Sequence, residues 1–365
     1  MTRSTHNSWL HRFAIASAAA TLVLLGFGGL VTSHGAGLAV PDWPNSYGYN
    51  MFTFPVSNWV GGIFYEHTHR LVASGVGFLT IILALWLWLK EERRWLRWLG
   101  VFALVLVIAQ GVLGGLRVTL LRDELGIFHA TLAQVFFVLV CALGLFTSRW
   151  WVQADAETET SKSLARLGPA AFLVTVLIFA QLVLGASMRH QHAGLAIPDF
   201  PLAYGKLWPA MDADAITRYN QHRLESHAAN PITAGGVALQ MAHRLAALAI
   251  LVGVAVVAWR GRESRSGERQ IGTLSKLWLG LVMAQVALGA ATIWSNKSAD
   301  IATTHVAVGA LSLATGALLC LVMRRCRCAR PRVCRTEFNA AVGEDAISLV
   351  PSQSVALLSR SVPNA

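Results

Sequence analysis

Eight predominantly apolar runs dominate this chain, near residues 12–32, 66–89, 98–117, 125–147, 168–188, 237–259, 274–294 and 301–323. Each is long enough to cross a hydrocarbon core of about 30 Å at about 1.5 Å per residue. In lipid the backbone must satisfy its own hydrogen bonds, and runs of this length do so as helices. The expectation is therefore an all-α membrane protein with eight transmembrane helices. The first run is too long for a cleaved signal and reads as a retained span. With no mitochondrial-type presequence before it, the expected location is a bacterial inner membrane.

The net charge of +11 would suit a nucleic-acid binder, but its distribution argues against one. Of the 30 Lys and Arg, 21 fall in the N-terminal end, the 90–97, 148–167 and 260–276 loops, and the tail after 323. The alternate loops are poor in them. This is the positive-inside bias, which puts both termini in the cytoplasm and makes the lipid bilayer, not nucleic acid, the partner. The basic cluster Arg324-Arg325-Cys326-Arg327 can also touch anionic headgroups. Cys326, Cys328 and Cys334 lie in the cytoplasmic tail and read as reduced, incidental thiols. The chain has no C-x-x-C-H, so covalent cofactor attachment through such a motif is not expected.

The chain repeats itself. Residues 36–48 read AGLAVPDWPNSYG and residues 193–205 read AGLAIPDFPLAYG, identical at nine of thirteen positions. AQGVLGGLR at 109–117 and AQVALGAAT at 284–292 echo this in the helices, with a related AQLVLGASM at 180–188. Each half has an even number of spans, so the two should insert alike, as parallel-repeat four-helix bundles. The expected divisions are 1–147, a cytoplasmic linker at 148–167, 168–323, and a disordered tail at 324–365. The Pro-Asp-aromatic-Pro loops should be ordered turns that cap the outer end.

Four histidines share one depth in the even-numbered spans: His69, His129, His243 and His305. Each falls near the outer start of its helix, and the spacing repeats, with 60 positions between the first two and 62 between the second. One intramembrane His is usually a satisfied hydrogen-bonding residue. Four at matched depth, duplicated with the fold, point to iron ligands, since paired helices can bring two imidazoles to opposite faces of one porphyrin. Glu66 stands three residues before His69, and Gln240 holds the same place before His243. A carboxylate can exchange a proton and an amide cannot, so the first half should react and the second carry electrons or support the fold. The competing reading is that Glu66 merely favours the helix start. Arg70 and Arg244 follow the ligands directly and suit either haem propionates or headgroups. The glycines and glutamines of the odd spans (Gln110, Gln181, Gln285) suit close packing and bonds across helices.

Taken together, Glu66-x-x-His69-Arg70, the GLAVPDWP loop at 37–44, His129, His243-Arg244 and His305 resemble the haem A synthase family, over residues of about 12 to 323. That family oxidises a methyl group of haem O to a formyl group for terminal oxidase assembly. The resemblance implies that His69 and His129 flank the substrate haem O and that His243 and His305 ligate a haem b. It implies that Glu66 serves the chemistry, with Arg70 and Arg244 near the propionates and the haem sites toward the periplasm. It also implies a haem O-producing partner and an electron acceptor, and it leaves the oligomeric state open. Some members carry an outer-loop cysteine pair, which this chain lacks. The alternative is a dihaem b-type electron-transfer protein without substrate chemistry.

Overall fold

A computed structural model describes residues 6–122, 124–153, 162–222, 231–263 and 269–328. Its α-helices are α1 (Ser8–Ser33), α2 (Gly61–Lys90), α3 (Arg94–Thr119), α4 (Glu124–Thr147), α5 (Arg149–Gln153), α6 (Lys162–His190), α7 (Ala213–Gln221), α8 (Ala234–Arg260), α9 (Arg269–Trp294) and α10 (Ala299–Cys328). Eight of these are long and apolar enough to cross a membrane, at the expected places. The described residues contain no strand, and α5 and the start of α6 lie inside the segment expected as a linker. The chain beyond Cys328 lies outside the described residues, so the expected tail disorder is not addressed by the structure.

Packing follows chain order. In the first half α1 lies against α2 and α4, and α3 against α2 and α4. In the second, α6 lies against α8 and α10, and α9 against α8 and α10. The halves meet where α10 touches α1 and α4, and where α4 touches α6. Each half has its own apolar centre: Leu83, Leu87, Leu96 and Leu143 in the first, and Val254, Val257, Trp278 and Leu319 in the second. Lipid tails are as apolar as these side chains, so close fit rather than water exclusion holds the helices. Gly253 lets α8 close on Val174, and Trp278 sits against Gly316 with its Nε1 donating to Ser312 O at 2.9 Å.

The two repeated loops fold alike. In each, an aspartate accepts two turn amides: Asp42 from Tyr47 and Gly48, at 2.7 and 2.8 Å, and Asp199 from Tyr204 and Gly205, at 2.7 and 2.8 Å. Tyr47, Gly48, Tyr204 and Gly205 all have positive φ, so a glycine at the second position removes a steric cost. Trp43-Pro44 and Phe200-Pro201 are both cis. The loop residues lie 157 apart (Val40 and Ile197) but the helical ones 174 apart (Glu66 and Gln240). The second connection is longer by 17 residues and contains α7, capped by Asp212 accepting from Ala215 N. Tyr219 of α7 stacks on Tyr204, with ring centroids 3.4 Å apart.

Asp42 makes the first cap acid-sensitive. Burial alone would raise its carboxyl, but the amides of Gly48 and Tyr47 outweigh that and hold it below the ordinary 3.8. A carboxyl lowered on folding stabilises above its ordinary value, and that stability is lost as pH falls through the lowered one. Cleavage of the 41–50 turn by an acid-active protease should therefore rise as pH drops below 3.8. In Asp42→Asn, cleavage should not change with pH over that window. Equal pH dependence in both proteins would exclude Asp42 as the cause.

Candidate functional site

All four expected ligands sit at the cap end of the bundles, on α2, α4, α8 and α10, with half-buried rings. Each ring lies against a glycine of the preceding membrane helix. A Cβ built at Gly28 of α1 would lie 3.3 Å from His69 Cε1, and one at Gly114 of α3 would lie 3.3 Å from His129 Cε1. The same construction gives 3.4 Å from Gly185 of α6 to His243 Cε1, and 3.4 Å from Gly289 of α9 to His305 Cε1. Bare backbone is thus what the rings pack on. In all four, Nδ1 is enclosed without a hydrogen-bond partner. Since buried ring nitrogens are ordinarily bonded, four orphans in a repeated setting are the mark of a site built for something else. With Nδ1 closed off, Nε2 is the nitrogen available to a metal. His69 and His129 lie on α2 and α4 of the first half, and His243 and His305 on α8 and α10 of the second. Two imidazoles in each half, each braced edge-on against a glycine, are a donor set that suits a planar iron cofactor.

Three of the four ligand helices are locked to their neighbours by glutamine. Gln110 Nε2 donates to His129 O at 3.2 Å, Gln181 Nε2 to His243 O at 2.8 Å, and Gln285 Nε2 to His305 O at 2.7 Å. These are the bonds across helices that the sequence suggested, and they end on the ligand residues themselves. Each glutamine stands four residues before the glycine that supports the ring.

Glu66 and Gln240 do one job in common. Glu66 Oε2 accepts from Val40 N at 2.9 Å, and Gln240 Oε1 accepts from Ile197 N at 2.7 Å. Both side chains are buried and fasten the caps to α2 and α8. The difference is charge. Glu66 Oε1 pairs with Arg70 at 2.7 Å, whereas Gln240 donates weakly to Gly194 O and Ile197 O, each at 3.3 Å. The guanidinium of Arg70 also donates to Val40 O, Asp42 O and Asn45 O, and that of Arg244 to Asp199 O and Leu202 O. Both arginines, expected beside propionates, are therefore braced on cap carbonyls.

Several neighbours were not singled out from the sequence. Arg117, at the end of α3, packs on Gly37 of the first cap. Trp43 of that cap lies on Gly115, next to Gly114. Arg189, which hydropathy assigns to a loop, is still within α6 and donates to Gly29 O and Ser33 Oγ of α1, joining the halves. Gly28 also escaped notice, because span 1 lacks the glutamine that marks its three counterparts.

The family model described as COX15-CtaA, cytochrome oxidase assembly protein, matches residues 11–317. A heme A synthase of Lysinibacillus sphaericus is 25% identical to this chain over 87% of it and 95% of the relative. One from Shewanella oneidensis is 26% identical over 84% of this chain and 94% of the relative. One from Alkalihalophilus pseudofirmus is 30% identical over 54% of this chain and 66% of the relative. The matched region takes in both caps and all four histidines, and the chain belongs to the COX15-CtaA family of cytochrome oxidase assembly proteins.

Proposed function

We propose that this chain is a haem A synthase, which oxidises a methyl group of haem O to a formyl group. The observation that carries the reading is the repeated one: two histidines in each half, each ring on a glycine and each with Nδ1 enclosed and unpartnered. His69 and His129 hold the substrate haem O in the first half, within residues 1–147. His243 and His305 hold a haem b in the second, within 168–323. The bound haems supply redox-active iron and, in the first half, the methyl group that is oxidised.

The protein's own part is to bind, orient and neutralise. Arg70, Arg117 and Arg244 place positive charge at the cap end, where anionic propionates would lie. Trp43 and the first cap cover that end of the site and limit water. With water supplying the formyl oxygen, oxidising the methyl group releases four protons, and four electrons that pass to the acceptor. Glu66 accepts a proton at a carboxylate oxygen or stabilises positive charge developing at the methyl carbon, and Gln240 can do neither. The distribution of Lys and Arg supports a bacterial inner membrane with both termini cytoplasmic and the caps periplasmic. A haem O-producing enzyme and an electron acceptor complete the system.

The test is expression in membranes that make haem O, followed by haem extraction. Haem A should appear with the wild-type chain. Unchanged haem O with two bound b haems would favour an electron carrier instead. His243→Ala should abolish the low-spin b signal, and a b signal that persists would remove haem b from the second half.

A further inference from the structure

The odd helices carry a four-residue spacing that is broken once. Gln110 precedes Gly114, Gln181 precedes Gly185 and Gln285 precedes Gly289, but Leu24 precedes Gly28. Each glutamine donates to the backbone carbonyl of the histidine whose ring rests on its glycine. Leucine has no donor, so His69 O receives nothing from this position. Leu24 lies instead against the first half's apolar cluster, which includes Val76 of α2.

This matters for how a ring can let go. The Cε1 atom of each histidine is backed by helix backbone, so the ring turns away from its ligand only if the neighbouring helix moves aside. Moving α3, α6 or α9 breaks a directional hydrogen bond to the ligand residue. Moving α1 breaks none to the ligand residue: Arg189 bonds Gly29 O and Ser33 Oγ and ties α1 to the second half, while the contacts of Leu24 in the first half are apolar and non-directional. The clamps also grade across the molecule: 2.7 and 2.8 Å in the second half, 3.2 Å at His129 and none at His69. The second half is held rigidly on both sides, as a resident cofactor requires. The first half is held from one side, as a site that must admit a substrate and release a product requires.

We infer that His69 is the releasable ligand of the first pair and that Leu24 is the positioning residue that makes it so. The step is a reversible opening in which Nε2 leaves with the lone pair it donated, so no electron is transferred. The inference rests on the haem reading of the first pair given above.

The experiment is carbon monoxide binding to dithionite-reduced, haem-loaded full-length protein in lipid nanodiscs, followed optically. Carbon monoxide needs a coordination position that a histidine has vacated, so it reports release independently of haem A formation. Wild-type protein should show one faster-reacting and one slower-reacting haem. Leu24→Gln should slow the faster phase about fivefold, the effect of one neutral hydrogen bond, and Leu24→Met, which adds no donor, should not. In the reverse direction, Gln285→Leu should speed the slower haem about fivefold, which misfolding of Leu24→Gln could not mimic. A wild-type rate in Leu24→Gln, equal slowing in Leu24→Met, or two equally reactive haems in the wild type would each overturn the inference. Protein that binds haem solely at His243 and His305 would overturn the first-half haem reading itself, a distinct result.

Discussion

Replacing Glu66 with Gln is expected to cut haem A formation by about a hundredfold or more, while bound haem and the folded first cap are retained. The lower bound is the usual contribution of a positioned acid–base group. The second half shows why the fold should survive. Gln240 occupies the same place and anchors Ile197 N at 2.7 Å through an amide oxygen. A glutamine at 66 can therefore still accept from Val40 N, and Arg70 keeps its three cap carbonyls. What disappears is the negative charge and its capacity to exchange a proton. Glu66→Ala makes the contrast, because it removes the anchor as well and should loosen the cap, visible as faster proteolysis of 37–48. Full synthase activity in Glu66→Gln would reduce Glu66 to an anchor and leave the proton chemistry without a residue.

The spans were legible because a helix that crosses lipid must be apolar for about twenty residues, a signal that neighbours cannot mask. The caps were legible as ordered turns because Pro-Asp-aromatic-Pro and Tyr-Gly recur in both halves. The histidines were legible because depth follows from topology. Which atoms meet across helices was not. Glu66 accepts from the Val40 amide, a partner 26 positions away that its place before His69 does not reveal, since a buried N–H near the membrane must find an acceptor. Arg189 was counted as a loop residue because hydropathy drops there, but α6 runs on to His190 and the guanidinium reaches α1. The extra helix α7 had a readable start at Asp212, overlooked beside the stronger repeat. Gly28 could have been found by aligning all four odd helices on Gly114, Gly185 and Gly289, with Leu24 then standing out.

Arg70→Met should destabilise the first cap far more than Arg244→Met destabilises the second. The two arginines are equivalent in sequence and do similar work, but they leave different debris. Without Arg244, two cap carbonyls lose a donor, and the neighbouring Gln240 is neutral. Without Arg70, three cap carbonyls lose a donor and the buried Glu66 carboxylate loses its partner at 2.7 Å. An unpaired buried charge is the costlier residue of the two losses: breaking one side of such a pair typically costs about 3–5 kcal/mol, against about 1–3 kcal/mol for an unsatisfied neutral group. Arg70→Lys should recover little, because a single ammonium cannot reach Glu66 and three carbonyls as a planar fork does. Adding Glu66→Gln to Arg70→Met should restore part of the loss by removing the stranded charge, a coupling that a double-mutant cycle measures directly. Protease susceptibility of residues 37–48 and 194–205, compared across these variants, reads both caps in one experiment. Equal loosening of the two caps, or additive effects of Glu66→Gln and Arg70→Met, would show that the ion pair contributes nothing beyond the carbonyl bonds the halves share.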